Sequence, residues 1–120
     1  MEIWVEFANG KLSVSPETVR IPRGTSVTWR FRAEDPNYRG LRWTIYFRES
    51  HPFARPFDPG IFGPFALNIS VDTLPRDGQH AGASPAVSAD EPGHYKYGVR
   101  LDDPAEGQEL GDEDPYLIVY

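Results

Sequence analysis

The sequence contains no cysteine. Disulfides, thiolate nucleophiles, iron–sulfur clusters, cysteine-based zinc sites and copper–thiolate centres all require cysteine sulfur, so this chain cannot form any of them. Three Trp, six Tyr and seven Phe supply large apolar groups instead, and 120 residues suffice for one core without covalent cross-links. We therefore expect a single domain spanning residues 1–120.

Long apolar runs are also missing. No stretch approaches the length of a membrane span, and the first residues show neither the basic nor the apolar segment of a secretory leader. The net charge of -6 would repel the phosphate backbone of a nucleic acid. The sequence therefore predicts an acidic, cytoplasmic protein with no membrane and no nucleic-acid partner.

Apolar and polar side chains alternate with a period of two along much of the chain, which is typical of strands with one buried face. The alternating or strand-like runs are 3–7, 11–15, 18–21, 27–31, 43–47, 66–71, 95–99 and 116–120, and the last is apolar on both faces. Twelve Pro and eleven Gly separate these runs, and no helical spacing of apolar residues appears. The pattern predicts an all-β protein, an antiparallel Greek-key sandwich or barrel of about seven to eight strands. Segments 51–64, 72–90 and 102–114 lack the strand pattern and are expected to be loops.

Residues 12–29 show a specific order of elements. A strand ends at Pro16, a second strand follows, and a turn at Gly24 leads into a third strand that carries Val27 and Trp29 on one face. This order resembles the cupredoxin family of β-sandwich proteins, of the plastocyanin and azurin type, and the resemblance covers most of the chain. It implies a cupredoxin-like sandwich.

Two further segments carry the resemblance. Trp-Thr-Ile-Tyr-Phe at 43–47 resembles the family's His-x-Val-x-Phe strand, and Pro-Gly-His-Tyr-Lys-Tyr-Gly-Val at 92–99 resembles its Pro-Gly-x-Tyr-x-Tyr-x-Cys segment. The resemblance places Trp43 at the first histidine ligand of copper, Val99 at the cysteine ligand and Asp102 at the second histidine. Blue copper needs a thiolate and two imidazoles, which these side chains cannot replace. The resemblance thus implies a copper-free member of the family, and we expect no cofactor.

The remaining residues suggest little other chemistry. His51, His80 and His94 are expected at the surface, without a spacing suited to joint metal binding. No Gly-x-Ser-x-Gly nucleophile motif occurs. We therefore predict that the chain is not an enzyme. Two alternatives stay open: a metal- or small-ligand-binding protein using loop His and Asp residues, and a hydrolase with an unrecognised carboxylate site.

The segment 51–65 is unusually rich in Phe and Pro. Because Pro limits backbone freedom, exposed rings in this segment would bind a partner at low entropic cost, whereas rings folded inward would cap one end of the sandwich. The candidate partner-binding residues are Phe53, Arg55, Phe57, Phe62 and Phe65. The sequence thus predicts an interaction or accessory module with an unknown protein partner. The strand that ends at Tyr120 also offers an edge through which two copies could pair as a homodimer.

Overall fold

The computed structural model describes residues 1–34, 38–53 and 67–120, and these form twelve β-strands and no helix. The strands are β1 (Glu2–Ala8), β2 (Lys11–Ser15), β3 (Thr18–Ile21), β4 (Thr25–Ala33), β5 (Leu41–Phe47), β6 (Leu67–Thr73), β7 (His80–Ala83), β8 (Val87–Ala89), β9 (Gly93–Lys96), β10 (Gly98–Asp103), β11 (Gln108–Glu113) and β12 (Tyr116–Val119). The predicted all-β sandwich is confirmed. Within these residues, no helix has the length and apolar character needed to cross a bilayer.

The strands form two layers. The first layer has the order β2-β1-β4-β7, and β8 also pairs with β4. The second layer consists of β11-β10-β5-β6 and β3-β12-β9, which are joined because β9 runs into β10 after a single intervening residue. Two pairs, β1 with β4 and β3 with β12, are parallel rather than antiparallel as predicted. Alternation cannot distinguish these arrangements, because side chains alternate with period two in both.

The strand number exceeds the predicted seven to eight for two reasons. Tyr97 separates β9 from β10 inside a run that the alternation pattern presents as continuous. In addition, the expected loops 72–90 and 102–114 contain β7, β8 and β11, so the loop prediction is wrong for these segments. β7 and β11 consist largely of small, polar or charged residues without apolar alternation, and β8 alternates over only three residues, which is too short a run to identify a strand.

The core lies between the layers and consists of the inward residues of nearly every strand. An aromatic cluster fills one part of it: Trp29 packs edge-to-face on Phe47 and Tyr97, with ring centroids 6.4 and 5.7 Å apart. The phenol oxygen of Tyr97 accepts a hydrogen bond from Nε1 of Trp29 at 3.3 Å. Burial raises the pKa of Tyr97, so this phenol remains protonated. The predicted inward orientation of Trp29 is confirmed, since its side chain is fully buried.

Candidate functional site

Trp43 and Val99, which the resemblance predicts at two copper-ligand positions, are both packing residues. The indole of Trp43 stacks on Phe31 with ring centroids 5.2 Å apart. Val99 is fully buried and pairs with Ile45 across β10 and β5. Neither side chain offers the imidazole or the thiolate that a blue copper site requires.

A buried hydrogen-bond chain leads from Trp43 to His80. Nε1 of Trp43 donates to Oγ1 of Thr73 at 2.9 Å, and this hydroxyl lies 3.1 Å from Nδ1 of His80. Nε2 of His80 lies 3.0 Å from the backbone oxygen of Tyr38. In the tautomer protonated on Nε2, the indole donates to the hydroxyl, the hydroxyl donates to Nδ1, and Nε2–H donates to the carbonyl of Tyr38. The backbone oxygen of Thr73, 3.2 Å from Nδ1, would accept a hydrogen bond only from a ring protonated on Nδ1.

The expectation that His80 lies at the surface is therefore wrong. Its side chain has no exposed area, and both ring nitrogens are already hydrogen-bonded. A metal ion could bind His80 only by breaking this chain. His94 does lie on an exposed strand position, as expected, and His51 is half-buried.

Asp102 lies on the opposite face of the sheet from Trp43 and Val99. Its strand position pairs with Arg42, and its carboxylate accepts a hydrogen bond from Nε of Arg100 at 3.0 Å. This carboxylate raises the pKa of Arg100. The three ligand-equivalent positions are thus not brought together. Among the residues that the structure describes, no group of three or more His, Asp or Glu is placed to hold a metal ion.

Phe53, the first residue of the predicted partner-binding set, belongs to the core. It is only 7% exposed and packs edge-to-face on Trp29 and Phe47, with ring centroids 5.8 and 5.3 Å apart. Its ring also stacks on His51. It therefore offers little surface to a partner. The other predicted residues lie outside the described part of the chain, so their role stays a prediction: Arg55, Phe57, Phe62 and Phe65.

A cleft of about 480 Å³ opens on the outer face of the second layer, where β9 gives way to β10. Its side chains combine a tyrosine, two cations and three carboxylates: Tyr46, Arg48, Lys96, Glu49, Asp112 and Asp114. We call it the Tyr46 cleft. All five charged residues are exposed to solvent. This open, charged cleft is suited to recognition by complementary charge.

Tyr46 is fixed in the cleft from three directions. Its ring lies directly on the backbone of Gly98, its cross-strand partner, so that any Cβ at position 98 would overlap the ring. Its hydroxyl donates to Oδ1 of Asp112 at 2.7 Å, and the guanidinium carbon of Arg48 lies 5.0 Å from the ring centroid. Burial raises the pKa of Tyr46 to about 12, and the hydrogen bond to Asp112 acts in the same direction.

Sequence reasoning assigned no role to Tyr46. The sequence does hold a weak signal, because a glycine inside a strand often marks a close approach of another group. Gly98 occupies an outward position of the alternating run, between the inward residues Tyr97 and Val99. Only the register of β5 and β10, however, identifies Tyr46 as the group that approaches it.

Comparisons with known proteins give neighbours in structure alone. No family model matches the chain, and no curated protein sequence matches it. Similar solved structures include a Cu(I) amicyanin mutant, 16% identical, with 99% of this chain and 82% of that chain covered and a TM-score of 0.47. Auracyanin A, a blue copper protein from Chloroflexus aurantiacus, is 13% identical, with coverage of 100% and 98% and a TM-score of 0.48. Rusticyanin, a copper protein, is 16% identical, with coverage of 100% and 77% and a TM-score of 0.49. Likeness at this level concerns the fold and carries no conclusion about function.

Proposed function

We propose that this chain is a copper-free, cupredoxin-like accessory module that binds a protein partner through the Tyr46 cleft and catalyses no reaction. The observation that carries the proposal is the fixed pair of Tyr46 and Arg48 beside a cleft of mixed charge. The loss of the copper ligands supports it, because Trp43 and Val99 now stabilise the core instead. The chain thus has the sandwich fold without the metal site, and we assign its function to the outer surface.

Tyrosine and arginine are well suited to the centre of an interface. Both are enriched among the residues that dominate binding energy, since each combines a large contact area with directed hydrogen bonds. Binding normally costs free energy because side chains lose freedom. Tyr46 has already lost much of that freedom through Gly98 and Asp112. A partner that contacts the exposed side of the ring therefore needs to order little more of this surface.

Affinity capture from the native host tests the proposal. The bait is the intact protein, compared with a Tyr46→Ala, Arg48→Ala double variant, and captured proteins are quantified by mass spectrometry. A matched control carries Trp4→Ala and Arg32→Ala on the outer face of the first layer, where Trp4 is 40% exposed. It removes one exposed aromatic group and one arginine at a different place.

We expect the cleft variant to lose a partner that the control retains, with recovery reduced by about tenfold or more, as for removal of an interface centre. Denaturation curves of both variants establish that each is folded. Equal recovery of every captured protein by all three baits would contradict the proposal. So would a partner lost only from the Trp4 control.

A further inference from the structure

The outward face of β12 is apolar although it lies on the surface. Leu117 and Val119 point into the core, while Tyr116, Ile118 and Tyr120 alternate with them on the other side. Tyr116 is 45% and Tyr120 is 62% exposed. The sequence shows this run as apolar on both faces, and β12 lies between β3 and β9 rather than at the edge that the sequence suggested. Solvent-facing strand positions are usually polar, so this row departs from the usual pattern of a half-exposed strand.

Basic side chains flank this row on both sides. Arg20 on β3 pairs with Ile118, and Lys96 on β9 pairs with Tyr116. Nζ of Lys96 lies 6.0 Å from the Tyr116 ring centroid. His94 on β9 stands opposite Ile118. We call this surface the β12 face; its members are Thr18, Arg20, His94, Lys96, Tyr116, Ile118 and Tyr120.

The β12 face is distinguished by its charge. It holds Arg20 and Lys96 and no Asp or Glu side chain, in a chain whose net charge is -6. Acidic residues precede each of its three strands at its border: Glu17 before β3, Glu91 before β9 and Asp114 before β12. Lys96 belongs also to the Tyr46 cleft, so the two surfaces are continuous.

We infer that the β12 face binds an acidic peptide segment that also carries apolar or aromatic side chains. This inference rests on the proposed function and specifies the chemistry of its partner. Carboxylates of the segment pair with Arg20 and Lys96, and its apolar side chains cover Tyr116, Ile118 and Tyr120. Removing these apolar groups from water stabilises the complex, and the two cations set its preference for acidic partners.

The size of the β12 face favours a peptide segment over a second copy of the chain. Three strands spaced by about 4.8 Å and four to five residues long give a face of roughly 14 by 15 Å. That is close to 200 Å², well below the roughly 800 Å² per partner that a stable protein–protein interface buries. An extended segment of about four to six residues spans such a face. Two copies of net charge -6 would also repel each other.

Selection from a random-peptide display library tests this inference with the intact protein as target. Enriched peptides are synthesised and their affinities measured by fluorescence anisotropy for the wild type and for an Arg20→Glu, Lys96→Glu double variant. The matched control is Arg30→Glu with Arg32→Glu on the outer face of the first layer, which reverses the same number of charges. A Tyr116→Thr variant probes the apolar contact while keeping a strand-forming residue at this position.

We expect the enriched peptides to contain Asp or Glu together with apolar residues, and their binding to weaken as salt is added. Reversal of Arg20 and Lys96 should reduce the affinity by about tenfold or more, whereas the matched control should change it less than about threefold. Tyr116→Thr should also weaken binding, without loss of the fold in denaturation curves.

Three results would overturn the inference. The first is a selection that enriches neutral or basic peptides, or no peptide at all. The second is a peptide affinity that stays the same when Arg20 and Lys96 are replaced by Glu. The third is self-association of the wild type in sedimentation experiments that is abolished by the same double replacement. The last result would identify a second copy as the occupant. None of them decides the proposed function, because the capture experiment uses natural partners and variants of Tyr46 and Arg48. A natural partner could be lost from the Tyr46→Ala, Arg48→Ala variant and still bind the Arg20→Glu, Lys96→Glu variant. That result would support the proposed function and would contradict only the inference about the β12 face.

Discussion

Replacing Gly98 by alanine should destabilise the protein through its contact with Tyr46. The three heavy atoms nearest to a Cβ at position 98 all belong to the Tyr46 ring, and all lie within overlap distance. The ring must therefore move away from the sheet. Because its hydroxyl is bonded to Asp112, a displaced ring also loses that hydrogen bond.

The expected cost follows from these two contacts. Forcing an extra methyl group into a packed contact costs about 1–3 kcal/mol. Loss of the hydrogen bond to Asp112 adds about 0.5–1.5 kcal/mol, near the lower value because the carboxylate is exposed. The backbone of Gly98 is not in the left-handed region, so alanine meets no conformational penalty there. The sum is a loss of about 1.5–3.5 kcal/mol in the free energy of unfolding.

A double-mutant cycle isolates this effect. Urea denaturation of the wild type, Gly98→Ala, Tyr46→Ala and the double variant gives the four free energies. In the Tyr46→Ala background the obstructing ring is absent, so Gly98→Ala should be neutral or should stabilise by up to about 1 kcal/mol, as alanine does in a strand. The coupling should thus reach about 1.5 kcal/mol or more. An equal cost of Gly98→Ala in both backgrounds would refute the reasoning, since the ring could then not be the cause.

Three further predictions concern single groups. Thr73→Val removes the hydroxyl that joins Trp43 to His80 and should lower the free energy of unfolding in urea by about 2–4 kcal/mol. Thr73→Ser keeps the hydroxyl and should lower it by about 1 kcal/mol or less, so equal losses in the two variants would contradict the hydrogen-bond chain. Burial lowers the pKa of His51, so its NMR titration should lie below 6.5, and the free energy of unfolding should fall as the pH drops from 6.5 through the folded pKa, because the unfolded chain takes up the proton first. A pH response unchanged in His51→Gln would refute this. Alkaline absorbance titration should show a tyrosine with a pKa of about 12 that is missing from Tyr46→Phe.

Much of the fold could be predicted from the alternation of side chains. Runs such as 3–7, 27–31 and 43–47 place large apolar residues at every second position, and the structure buries those residues. The signal is strong because a strand with one buried face requires it. It failed for β7 and β11, which carry no such alternation, and for β8, whose Val-Ser-Ala run is only three residues long.

The candidate site was much less predictable. The sequence predicted that the Phe-rich segment binds a partner, but the first residue of the predicted set, Phe53, lies in the core. The sequence predicted no functional role for Tyr46, because a tyrosine at an outward strand position is common and does not show which residue its ring contacts. The Tyr46 cleft depends on groups from β5, β9, β10 and β11, which are distant in sequence.

The sequence by itself determined the chemistry that this protein lacks and the side chains that form its core. Absence of cysteine excludes a copper–thiolate centre whatever the fold, and burial follows from local apolarity. Only the tertiary structure decided that Asp102 faces away from Trp43, that His80 is enclosed, and that Gly98 lies beneath Tyr46. The physical reason is register: side chains that meet across a sheet are set by pairing between distant strands, and shifting a strand by one residue exchanges its two faces.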